Sequence, residues 1–145
     1  MIEFKVDGVS ALLDLFGKIP KDVSVGMRKA VNQGALMVQR DAFRAIKKHS
    51  AGRLYTRRGK KHVASKAGDA PNTDTGNLIR NIRVSTGRGS MNKGYSAEVK
   101  AVTPYALRLE YGQGRIKARP FMRPALEANK PKIKKLILKA LRGAL

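Results

Sequence analysis

Cysteine and tryptophan are absent from this 145-residue chain, histidine occurs twice, and Asp plus Glu number only 10. Without a thiol there is no disulfide, no thiolate ligand and no thiolate nucleophile, a usage that fits a reducing cytoplasm. Long apolar runs are missing as well, and nothing approaches the roughly 18 residues that a membrane helix needs. The opening "MIEFKVDGVS" has no cationic start ahead of an apolar run, so a secretory leader is not expected. The expectation is a soluble, intracellular chain. Aromatic residues make up 6% of the sequence, too few for a platform on which successive bases stack.

The chemistry of catalysis is thin too. His49 and His62 stand among cations, which disfavours binding a further one. The carboxylates are scattered. Asp69 and Asp74 are the nearest pair in the loop region, and Asp74 reads better as a helix cap than as a ligand. "GRGSMNKG" and "GQGRIKARP" lack the spacing and strand-to-helix setting of a phosphate loop. No His–Asp arrangement stands out to activate a serine or threonine. No metal, cofactor or enzymatic activity is expected, and a toxin-like nuclease has only charge in its favour.

What the chain has is positive charge: 31 Lys plus Arg, for a net +21. Residues 40–66 hold ten basic residues against Asp41, and residues 115–142 hold ten against Glu127. Two such blocks point to polyanions or acidic partners more than to lysines that merely keep a surface solvated. Arg53, Arg57, Arg58, Lys60, Lys61 and Lys66 are the candidate polyanion contacts. No zinc-finger, basic-zipper or ribonucleoprotein signature accompanies them. Any DNA contact should therefore be to phosphates, without sequence preference.

The periodicities predict an α+β fold in a single domain over 1–145: a long N-terminal helix and a basic C-terminal helix packed on a small antiparallel sheet. Ile2, Phe4 and Val6 alternate as a strand. "VSALLDLFGKI" places Leu12, Leu13, Leu15, Phe16 and Ile19 on one stripe of a short helix, with Ser10 as a candidate N-cap. From Lys21 to about His49 a long helix is expected, with Val23, Met27, Val31, Ala35, Val38, Ala42, Ala45 and Ile46 on one side and Leu36 and Phe43 widening it. Residues 50–73 show no sustained period and read as an exposed, mobile basic loop that orders on a partner. Asp74 or Thr75 should cap a helical turn that points Leu78 and Ile82 inward. "IRVSTG" (82–87) and "YSAEVKAV" (95–102) alternate as strands, joined by a flexible hairpin loop. Thr103 should cap a further short helix, with Pro104 at its first position and Gly112 ending it. Proline holds the residue before it away from helix, so "ARPFMRPA" reads as two stiff corners around Phe121, with Pro124 in the first turn of the last helix. Pro131 should kink that helix.

Three local patterns carry a resemblance. Ala70-Pro71 is followed by Asp74-Thr75-Gly76 and Leu78; Tyr105-Ala106 by Glu110 and Gly112; and Ala118-Arg119-Pro120-Phe121 by Pro124-Ala125. Together, from roughly Lys21 onward, they resemble the HK-ninety-seven-type phage tail-component family (gene product ten), the tail-completion or head–tail joining proteins. The Arg-Pro-Phe-x-x-Pro-Ala run is the most specific of the three, and the charge and length of the 50–68 loop depart from the pattern. The resemblance implies a non-enzymatic structural protein of the virion neck or upper tail, made in the host cytoplasm. Such a protein would assemble as a ring of one chain, of which a hexamer is one form, between connector and tail proteins. In such a ring Phe121, held by Pro120 and Pro124, would wedge into a neighbour's apolar pocket while Arg119 and Arg123 meet Glu110. The intramolecular alternative is that the same residues fix the last helix on its own sheet. A sequence-independent nucleic-acid-binding protein is the rival from another class.

Overall fold

The computed structural model describes residues 2–8, 21–86, 89 and 94–142. Its architecture is the expected α+β arrangement. Strand β1 (Ile2–Gly8) precedes the long helix α1 (Lys21–Lys47). The hairpin β2 (Leu54–Arg57) and β3 (Lys60–Val63) and the short helix α2 (Asn77–Arg80) come next. Strands β4 (Ile82–Thr86) and β5 (Tyr95–Ala101), helix α3 (Ala106–Tyr111) and helix α4 (Met122–Arg142) complete the order. The expected helix at 10–19 and most of the turn between β4 and β5 lie outside the described residues.

The main sheet is antiparallel in the order β1-β5-β4, so the strand latest in sequence sits in the middle. Ala101 pairs with both Ile2 and Ile82, and Val99 with both Phe4 and Val84. Along β5, Tyr95, Ala97, Val99 and Ala101 are buried while the residues between them are half-covered, the period-two signature of a sheet with one face on a core. That face packs on α1, whose buried line runs Val23, Met27, Ala30, Val31, Ala35, Val38, Ala42, Ile46. Leu36, expected to widen the stripe, is 53% exposed; its place is taken by small residues, because α1 must also receive α4.

α1 and α4 run antiparallel and close. Gly26 faces Ala140, Gly34 faces Ile133, and Asn129 Nδ2 donates to Asp41 Oδ2 at 2.8 Å. A Cβ built on Gly34 would lie 2.9 Å from Ile133 Cγ1, inside any van der Waals contact, so the lack of a side chain there sets the helix separation. Asn129 is fully buried in α4 and also donates to Ala125 O at 2.8 Å. Its bond is the largest cause holding the Asp41 carboxyl below the ordinary carboxylate range, with Arg40 and Arg44 adding to it against the opposing effect of burial. Gln39 Nε2 donates to Ile82 O at 2.8 Å and ties the helix to the sheet edge.

One expectation changes here. Residues 54–63, read as irregular, form a two-stranded hairpin whose turn places Arg58 and Gly59 at φ 51° and 75°. Both turn residues are left-handed, as the tightest hairpin turns require. The last helix runs through Pro131 to Arg142, as its stripe predicts, with its proline on the exposed side.

Candidate functional site

The start of α4 explains the Arg-Pro stretch. A helix begins with four backbone N–H groups that have no partner within it. Here the four positions are Phe121, Met122, Arg123 and Pro124. Glu110, on α3 and only 3% exposed, takes the first three: Phe121 and Met122 donate to Oε2 at 2.9 and 3.0 Å, and Arg123 donates to Oε1 at 2.7 Å. Pro124 has no N–H to place. The helix end is fully satisfied, and a buried carboxylate against its positive pole is favourable. The expectation that Arg119 and Arg123 meet Glu110 through their guanidinium groups is therefore corrected. Glu110 receives backbone amides, Arg123 is exposed, and Arg119 Nε donates to Ser65 O at 3.2 Å. Phe121 is fully buried in this chain's own core beside Met122, the placement expected of the intramolecular alternative.

Gly112 ends α3 at φ 76°, and a Cβ there would lie 2.9 Å from Ala118 N and from Ile116 O. Glycine is required on both counts, and the chain can then fold back so that Arg119 N donates to Leu109 O. The caps differ from expectation. α2 follows Gly76 at φ 72° without a side-chain cap, and Thr75 Oγ1 only accepts Asn77 N at 3.3 Å. Asp74 instead faces His62, with Oδ1 3.6 Å from Nδ1. α3 follows Tyr105, and the buried Thr103 hydroxyl caps nothing.

Between the hairpin and helices α2 and α3 lies a groove of about 960 Å³. All three sequence patterns reach it: Pro71, Asp74, Thr75, Gly76 and Leu78 from the first, Tyr105 from the second, Arg119 from the third. Arg58 and Lys60 line it from the hairpin, with Tyr55 and His62, whose rings meet edge-to-face at 5.0 Å. Glu110, Gly112, Pro120, Phe121, Arg123 and Pro124 belong to the junction behind it. The other charged candidates, Arg53, Lys61 and Lys66, are exposed on the hairpin and its flanks.

The sequence reading missed Asn72, which holds the hairpin's base. Its Nδ2 donates to Ser50 O at 2.7 Å and Val63 O at 2.9 Å, while Oδ1 accepts Ser50 N at 2.8 Å. Ser50 Oγ then donates to Asp69 Oδ2 at 2.6 Å. No pattern in the sequence marks this clasp, since its members are 22 and 9 residues apart.

The one His–Asp contact among the described residues is His62–Asp74, which the sequence reading did not anticipate. The buried Ser65 Oγ, which also lines the groove, makes no hydrogen bond. Among the described residues no three histidines or carboxylates gather as a metal site, and no helix is long and apolar enough to cross a membrane. The groove's lining combines aliphatic side chains with the cations Arg58, Lys60 and Arg119.

No curated protein and no solved structure matches the chain. A family model does, over residues 10–112, described as "Bacteriophage HK97-gp10, putative tail-component". The match begins upstream of Lys21 and ends before Ala118, so it covers the first two patterns and not the Arg-Pro run. On a match over most of its length, the chain belongs to the HK97-gp10 family of phage tail components.

Proposed function

We propose that this chain is a non-enzymatic joining component of the neck or upper tail of a phage or prophage particle. In this reading it assembles from the host cytoplasm into a ring around the DNA path, between connector and tail proteins. Family membership supports the tail assignment. The observation that carries the joining role is the placement of exposed apolar side chains. Of the nine large ones among the described residues, six (Leu54, Tyr55, Tyr105, Leu107, Tyr111 and Ile116) belong to the hairpin, to α3 or to the residues flanking it. Apolar side chains gathered on one region rather than scattered mark a docking surface. Native mass spectrometry of the purified chain, with labelling in particles by electron microscopy, tests the reading. A closed oligomer and a label at the head–tail junction are expected. A chain that stays monomeric beside connector and tail proteins and is missing from particles overturns it.

A second reading, contact with DNA phosphates, is favoured by the helical cations. Arg28, Lys29 and Lys47 on α1, Lys48 just after it, and Lys132, Lys134, Lys135 and Lys139 on α4 are all exposed. Affinity for duplex should fall by about 10³ between low and moderate salt if six or more phosphates are engaged. A ring lined by these helices would show the same dependence.

A further inference from the structure

We propose that the groove between the hairpin and α2–α3 is the docking site for an acidic, leucine-type peptide segment of a partner protein. The proposal deepens the joining role, on which it rests, by naming the chemistry of what is joined. Size comes first. A volume of about 960 Å³ is at the upper end of the range for small-ligand clefts and suits a few residues of extended chain. A DNA duplex, whose major groove alone is about 12 Å wide, is far too broad to enter.

The lining comes second. Ile46, Leu78, Ile79, Leu109 and Ile116 contribute aliphatic surface, which offers nothing to a phosphate backbone and would seat leucine, isoleucine or phenylalanine side chains. Arg58 and Lys60 line it from the hairpin, and Arg119, whose Nε donates to Ser65 O, lines it as well. The carboxylate in the lining, Asp74, faces His62 at 3.6 Å. Three cations thus border an apolar trough, the complement of a segment in which carboxylates alternate with apolar residues. Complementary rim charge steers encounter and rejects wrong partners more than it adds affinity.

Charge decides against a second copy as occupant. Each chain carries a net +21, so seating one copy's basic segments in another's basic groove adds repulsion. A partner rich in Asp and Glu removes it.

Fluorescence anisotropy with a labelled peptide of alternating glutamate and leucine tests the site. The peptide should bind, and its serine-for-leucine and lysine-for-glutamate versions should bind at least about tenfold more weakly, a difference of 1.4 kcal/mol. Two variants locate the binding. Arg58→Asp with Lys60→Glu reverses the rim while keeping a residue type that tolerates positive φ at position 58, and Ile116→Ser removes exposed apolar surface. Each should weaken the glutamate–leucine peptide about tenfold while the circular dichroism melt stays that of the parent. Equal affinity for polyglutamate, or undiminished binding by both variants, would sink the proposal. Duplex DNA binding lost in the same two variants would reassign the site to nucleic acid. Self-association lost in them, with no peptide bound, would reassign it to a second copy. A failed peptide titration beside an intact ring by native mass spectrometry refutes the occupant alone; loss of the ring refutes the joining role.

Discussion

The Glu110 carboxylate holds the amide of Phe121 at 2.9 Å, with the amides of Met122 and Arg123 beside it. One side chain on α3 thereby closes the start of α4 from 11 residues away. Glu110→Ala leaves three buried N–H groups without a partner, and a loss of about 3 kcal/mol is expected in urea denaturation. Glu110→Gln keeps one acceptor but turns an NH2 toward the other amides, and should lose about 2 kcal/mol. A midpoint unchanged in both would show that the clasp is not a source of stability.

Phe121→Ala should cost about 3–5 kcal/mol, as for other buried aromatic truncations, and leave assembly intact below the lowered melting temperature. Tyr111→Ser, at a residue 55% exposed, should do the reverse: an unchanged melt and weaker association by sedimentation. The opposite pattern would place Phe121 at an intermolecular interface after all.

Gly34→Ala adds a methyl group against buried Ile133, whose Cγ1, Cδ1 and Cγ2 all lie within 3.3 Å of the built position. The gain in helix propensity, about 1 kcal/mol, is outweighed by overpacking of about 1–3 kcal/mol. A net loss is expected, and it should be smaller in an Ile133→Ala background. Additive costs in that double-mutant cycle would show that the two residues do not meet.

Asp41 is held below the ordinary carboxylate range, chiefly by Asn129. The folded chain therefore binds fewer protons at this site than the unfolded one. Its contribution is complete above about pH 4, the unfolded value, and is lost as pH falls through the lower folded value. The stability gap between the parent and Asp41→Asn should be constant near neutrality and narrow on acidification. A gap that widens toward low pH would refute the assignment.

Hydrogen exchange separates the hairpin's tip from its base. Amides at 57–60 should exchange fastest, and Asn72→Ala should speed exchange across 54–63 while leaving α1 near the parent rates. Uniformly strong protection across 54–63 would exclude the mobile loop expected from the sequence.

The elements with a regular hydrophobic period were legible: α1 from Val23 to Ile46, β5 from its alternation, α4 from its apolar stripe. The hairpin was not. Its strands are four residues each and largely exposed on both faces, so no period-two pattern forms. Its turn is Arg58-Gly59 rather than the Asn-Gly or Asp-Gly that signals such a turn. Capping by Glu110 and clasping by Asn72 were invisible because both act across long separations, whereas cap rules look three residues ahead. Asp74 satisfied the local rule, yet it faces His62. The groove's members could be named from their motifs, but only the fold shows that Pro71, Tyr105 and Arg119 line one groove.

Because the Glu110 carboxylate on α3 closes the start of α4, the seat of the terminal rod and the lining of the trough are built on one short helix. That helix has six residues, and its Leu109 borders the trough. A substitution that unseats α4 at Glu110 should therefore also disturb the trough's lining.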